Sequence, residues 1–147
     1  MPELSSTQKL LSTPQSKISI QESLMSSLYQ ALILDHYRNP RQHGTLATCT
    51  HTASAHNPTC GDRLEMQLLI KNDIIKDVMF SGSGCAISQA SASLLSEFLI
   101  GKNLEEAKQI GKGELLTLLG VELSPNRLKC ALLSLETFTK ALNHKNA

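Results

Sequence analysis

The run D-R-L-E-M-Q-L-L-I-K-N-D-I-I-K-D-V-M-F (62–80) decides the fold. In its first half Leu64, Met66, Leu68 and Ile70 recur at every second position. Successive side chains of a strand point to opposite faces, so this spacing predicts a half-buried strand over Asp62–Ile70. Lys71-Asn72-Asp73 reads as a turn, because Asn and Asp tolerate the backbone reversal a tight turn needs. Ile74–Phe80 reads as a second strand with Ile74, Lys76, Val78 and Phe80 on one face, Lys76 being off pattern. Together the two segments predict an antiparallel hairpin.

On the C-terminal side of the hairpin the pattern changes to helical. A helix is expected from Cys85 to about Gly101 after the loop Ser81-Gly82-Ser83-Gly84. Asn103 followed by Glu106 fits a cap and its partner for a short second helix. Gly111-Lys112-Gly113 is read as a break before a helical piece over Glu114–Leu119. Ser124-Pro125 is a cap followed by proline at the first helical position, and starts a last helix to about Asn143. Leu128, Leu132, Leu135 and Phe138 are its expected apolar face. On the N-terminal side, Leu24, Leu28, Ala31, Leu32 and Tyr37 space a helix from Ser23 that stops before Asn39-Pro40. Gly44 opens a loop or short strand through 45–56. Strands and helices do not alternate strictly, so the fold class is α+β, a small antiparallel sheet covered by helices.

Composition narrows the function. The chain has 147 residues, 41% hydrophobic and 18% charged, enough for one domain with a real core. A net charge of +1, with no Trp and only two Tyr and three Phe, argues against nucleic acid. No apolar run approaches the roughly 18 residues of a membrane span. Residues 1–23 are rich in Ser, Gln and Thr and read as a disordered tail, leaving 24–147 as the domain. A transit peptide fits that tail less well, since it has no Arg and carries Glu3 and Glu22. With no secretory signal, a cytoplasmic, reducing compartment is expected. There four cysteines point to metal binding or reactivity rather than disulfides.

Three of the cysteines are framed by turn or helix-start signals. Cys60 lies in N-P-T-C-G-D (57–62), Cys85 in G-S-G-C-A-I-S (82–88) and Cys130 in R-L-K-C-A (127–131). Gly61 lets the chain present Cys60 and Asp62 to one point. Three thiolates and a carboxylate make a full set for zinc or an iron–sulfur cluster. A helix start favours a thiolate at Cys85, and Arg127 or Lys129 can lower the pKa of Cys130 or hold a sulfur anion. Cys49 lacks such framing and reads as an ordinary strand residue. His36, His43, His51 and His56 are weak candidates for ligands. A small zinc-stabilised binding module is the competing reading; a cysteine hydrolase would need a histidine base, and none neighbours these thiols in sequence.

These motifs, with D-H-Y-R-N-P-R (35–41) and the extended run G-S-G-C-A-I-S-Q-A-S-A-S (82–93), resemble the U-type iron–sulfur cluster assembly family: IscU, SufU and the N-terminal domain of NifU. The resemblance spans about 24–143. It implies a three-stranded antiparallel sheet with helices packed on one face, and a first strand near Thr48–Ala55. It also implies that Cys60, Asp62, Cys85 and Cys130 ligate zinc or a transient [2Fe–2S] or [4Fe–4S] cluster. The implied partners are a pyridoxal-phosphate cysteine desulfurase, whose docking surface includes Tyr37–Arg41, and iron–sulfur recipient or carrier proteins. Cys60 is the expected persulfide acceptor and Cys130 the second choice, with Arg127 and Lys129 steadying the charge. Lys129 stands where the cluster scaffolds carry histidine, as in the zinc-containing SufU type. The spacing from Cys85 to Cys130 is too short for the SufU insertion. Leu123-Ser-Pro-Asn-Arg replaces the IscU chaperone motif Leu-Pro-Pro-Val-Lys.

Overall fold

A computed structural model describes residues 27–146. The expected tail over 1–23 and the start of the first helix lie outside them. Helix α1 occupies 27–38 of the described chain. Three strands follow, β1 (His51–Asn57), β2 (Asp62–Lys71) and β3 (Ile74–Ser83). Then come α2 (Ala86–Leu99), α3 (Leu104–Lys108), α4 (Lys112–Leu119) and α5 (Pro125–Leu142). The strands form one antiparallel sheet in the order β1-β2-β3. Leu64, Met66, Leu68, Val78 and Phe80 bury the face on which α2 and α5 pack. The α+β expectation and its one-sided helical layer are both realised.

The hairpin turn has φ of 54° at Asn72 and 61° at Asp73, both left-handed, as a two-residue turn matched to the strand twist requires. One register step departs from the expected alternation. Leu69 faces Asp77 but Ile70 faces Ile75, so β3 carries one extra residue, Lys76. This bulge turns the pattern over, and Ile75, fully buried, replaces Ile74 on the core face. β1 begins three residues later than the expected Thr48, so Cys49 sits in the loop before it rather than in a strand.

Both sheet edges are covered. Thr50 and Thr52 of the β1 side exchange backbone hydrogen bonds with Asn146 and His144. On the β3 side, Phe80 bonds Gln42 and Gly44, while Ile75 bonds Gly101 and Lys102. Such pairing removes the open edges through which sheets associate.

The helices also rotate away from their expected faces. In α1 the inward residues are Tyr29, Leu32, Ile33 and His36, while Leu28 is 67% and Tyr37 44% exposed. His36 can face inward because Ser93 of α2 satisfies its Nδ1 at 2.7 Å. In α5 the buried face is Cys130, Ala131, Leu133, Ser134, Thr137, Phe138 and Ala141. Leu128, Leu132 and Leu135 are half-buried at its margin, since small side chains let the helix approach the sheet closely. α4 starts at Lys112, two residues before the expected Glu114, because the Glu114 carboxylate accepts the Gly111 N–H at 2.7 Å and caps it.

Candidate metal centre

The site is built where three elements meet. Asn57 and Asp62 are paired across β1 and β2, and residues 58–61 loop between them. Asn57 closes that loop: its side chain accepts the Thr59 N–H at 3.1 Å and its carbonyl the Gly61 N–H at 2.8 Å. Gly61 has φ +75°, a conformation costly for any residue with a Cβ. The turn leaves Cys60 exposed and sends Asp62 inward, where it is 2% exposed.

Cys85 caps α2, and its sulfur accepts the Ser88 N–H at 3.5 Å. That contact places the positive end of the helix beside the sulfur. The Cys85 N–H donates to Asp62 Oδ1 at 3.0 Å, and its thiol lies 3.7 Å from Oδ2. Gly84 makes the approach possible: a Cβ there would lie 2.7 Å from Asp62 Oδ1 and 2.4 Å from Ser88 Oγ. Cys130, in the second turn of α5, is 4% exposed and donates its S–H to Cys60 Sγ at 3.3 Å. Burial, reinforced by contacts with Asp62, Cys60 and Cys85, pushes the Cys130 thiol well above its ordinary range. The groups that shift it do not include Arg127 or Lys129.

Ligand atoms of Cys60, Asp62 and Cys130 lie within 4.8 Å of one another, and Cys85 adjoins them through Asp62. Sulfur ligands of a tetrahedral zinc stand about 3.8 Å apart, given a zinc–sulfur bond of about 2.3 Å. Among the described residues no Lys, Arg or His pairs with Asp62. A buried carboxylate without a counter-charge is costly, and a soft cation shared with the thiolates would supply one. The donor set fits such a group.

A cavity of about 490 Å³ opens onto the three cysteines. Its walls are mostly apolar, from Ile33 and Leu34 of α1, Ile87 of α2, and Val121 and Leu123 ahead of α5, with Gln30, Glu122 and Asn126 as polar members. Arg127 lines it as well. Lys129 is placed elsewhere, in a separate hollow with His56, Asn57 and Pro58 behind the Cys60 loop. The α1 and 121–123 walls were not foreseen, although Ile33, one position from the marked Leu32, carried the signal.

The remaining expected residues are kept apart from the centre. His36 bonds Ser93, His43 stacks edge-on against Phe80, His51 bonds Thr50, and His56 lines the second hollow. Cys49 contacts Thr52 and Asn146 at the β1 edge. In the 35–41 block Asp35, Asn39 and Arg41 bond one another. Arg41 pairs with Asp35 at 2.6 Å and with Asn39 holds that carboxyl below its usual range. The Arg41 N–H donates to Ser93 at 2.8 Å, which fixes the block to α2.

The chain is similar to known proteins. The chain is 36% identical to the zinc-dependent sulfurtransferase SufU of Bacillus subtilis, over 80% of this chain and 91% of that protein. It is 34% identical to the iron–sulfur cluster assembly scaffold protein IscU of Streptococcus pyogenes, over 82% and 86%. A crystal structure from Fervidobacterium islandicum, described as a SUF-system iron–sulfur cluster assembly scaffold, superposes with a TM-score of 0.65 at 31% identity, covering 76% of this chain and 93% of that one. Residues 28–146 match the family described as the NifU-like N-terminal domain, and to that family this chain belongs.

Proposed function

We propose that this chain works in iron–sulfur cluster assembly, taking sulfane sulfur from a pyridoxal-phosphate cysteine desulfurase and holding it at a centre of three cysteines and one aspartate. The convergence of Cys60, Asp62 and Cys130 within 4.8 Å, with Cys85 alongside, carries the reading. The sulfurtransferase and scaffold relatives support it. Cys60, Asp62, Cys85 and Cys130 would hold zinc, or a [2Fe–2S] or [4Fe–4S] cluster as cargo. Bound metal keeps thiolates deprotonated and unprotonated sulfur is the nucleophile.

Cys60 is the acceptor in this reading, because it is exposed on a loop while Cys130 is buried. Its sulfur attacks the outer sulfur of the donor persulfide, the donor S–S bond breaks, and the donor leaves as a thiolate. Arg127, in the cavity, steadies the negative sulfur. Tyr37–Arg41 and the adjacent cavity wall receive the desulfurase, and carrier or recipient proteins take the product. Residues 24–147 form the working domain, in the cytoplasm. Among the described residues no helix is long and apolar enough to cross a membrane.

Incubating the protein with a desulfurase and cysteine, then alkylating and mapping by mass, tests this. A persulfide at Cys60, lost in Cys60→Ala, is the expected result. Elemental analysis of the same protein distinguishes zinc from iron and sulfide. Bound metal without sulfur acceptance would leave the zinc-stabilised binding module as the correct reading.

A further inference from the structure

Cys130 Sγ lies 3.3 Å from Cys60 Sγ and points its proton at it. Reacting atoms held about 3–3.5 Å apart are already in near-attack range. The two thiols are also unequal: Cys60 is exposed, Cys130 buried. An exposed acceptor backed by a buried second thiol is the arrangement of a resolving pair. Cys85 also contacts Cys130, but its sulfur is held by the Ser88 N–H and lies against Asp62.

We propose that Cys60 and Cys130 reduce the sulfur carried on Cys60 to sulfide, by closing a disulfide between themselves. The inference rests on Cys60 being the persulfide carrier. As its proton passes to the outer sulfur, Cys130 Sγ attacks the inner sulfur, Cys60 Sγ, as the thiolate. The bond from Cys60 Sγ to the outer sulfur breaks, and that sulfur leaves with the bonding pair. It takes the Cys130 proton and departs as hydrogen sulfide. Counted from sulfane sulfur this is a two-electron reduction, the electrons coming from the two thiols. An external dithiol then returns the disulfide to two thiols by exchange. The chain thus supplies sulfur at the oxidation level of sulfide, not only as a carried persulfide.

The test uses the full chain, reduced, stripped of metal with a chelator, and loaded at Cys60 either by a desulfurase with cysteine or by inorganic polysulfide. After desalting, released sulfide is read with a bimane trap and disulfides by peptide mass, both counted per loaded Cys60. Sulfide and Cys60–Cys130 disulfide are expected in equal amounts without added thiol. Cys130→Ser should hold its persulfide, with release slowed by about tenfold or more, whereas Cys49→Ser should behave as wild type. A wild-type persulfide as long-lived as that of Cys130→Ser overturns the proposal, as does sulfide release without that disulfide. The wild-type stoichiometry decides even if Cys130→Ser does not fold. Polysulfide-loaded protein that yields the disulfide, where the desulfurase fails to load Cys60, sustains the inference and sinks the desulfurase reading.

Discussion

Arg127 and Lys129 were equal candidates in the sequence, and the helix separates them. Residues three apart on an α-helix share a face, so Arg127 follows Cys130 into the cavity, whereas Lys129, one position away, turns about 100° off. Arg127→Ala should therefore lower the rate of sulfur acceptance by about tenfold, and Lys129→Ala by less than about twofold, measured with a desulfurase under single-turnover conditions. Similar losses from both would mean that charge near the site matters and its direction does not. Gly84 gives a second prediction. Alanine there meets the Asp62 carboxylate and Ser88 Oγ, so Gly84→Ala should cost about 1–3 kcal/mol in urea unfolding and weaken zinc binding. Cys60, Asp62 and Cys85 were legible because they stand beside Gly61 and Gly84, which a turn or helix start requires, and Cys130 because it lies early in the helix that Ser124-Pro125 starts. The closure of the site on Asp62 was not, since the Cys85 N–H bond joins residues 23 apart in the chain.

At the scale of elements, the caps were the most readable features because they are local. Asn103 and Glu106 bond reciprocally, and Ser124 accepts the Arg127 N–H at 3.4 Å. Ser124→Ala should cost about 1 kcal/mol and loosen the turn that carries Arg127, as seen in urea unfolding and faster amide exchange there. Faces were less readable, because they depend on distant partners. The bulge at Lys76 is marked only by a misplaced charge, and the inward turn of His36 needs Ser93, 57 residues away. His36 also sets a pH dependence. Burial, then the nearby Arg41 charge, lowers its pKa below the ordinary 6.5 of the unfolded chain. The unfolded state therefore takes up the proton first as pH falls. The stability His36 provides is present above about pH 6.5 and is lost progressively below it. Metal-free protein should show a falling unfolding midpoint from pH 7 to 5, and His36→Asn should flatten that slope.

For the whole molecule, the centre is a tie between the β1–β2 loop, the start of α2 and α5, and its ligand atoms converge only when all three are in place. A metal that binds this folded site and not the unfolded chain stabilises by mass action, by about 2.7 kcal/mol at a hundred times its Kd. Zinc should then raise the unfolding midpoint by several degrees and a chelator should reverse it. Asp62 allows a sharper test, because its two effects have opposite signs. Without metal it is a buried carboxylate with one N–H donor, the thiols of Cys85 and Cys130 beside it and no cation, an arrangement that costs stability. With metal it is a ligand that adds stability. Asp62→Asn keeps the shape and the oxygen that accepts the Cys85 N–H while removing the charge. The metal-free variant should be more stable than wild type by about 1–2 kcal/mol, and its gain from zinc should be smaller. Parallel urea titrations with zinc and with chelator measure both. If Asp62→Asn weakens the metal-free protein and keeps the full zinc gain, Asp62 is a structural cap for Cys85, and the centre holds its metal on cysteines alone.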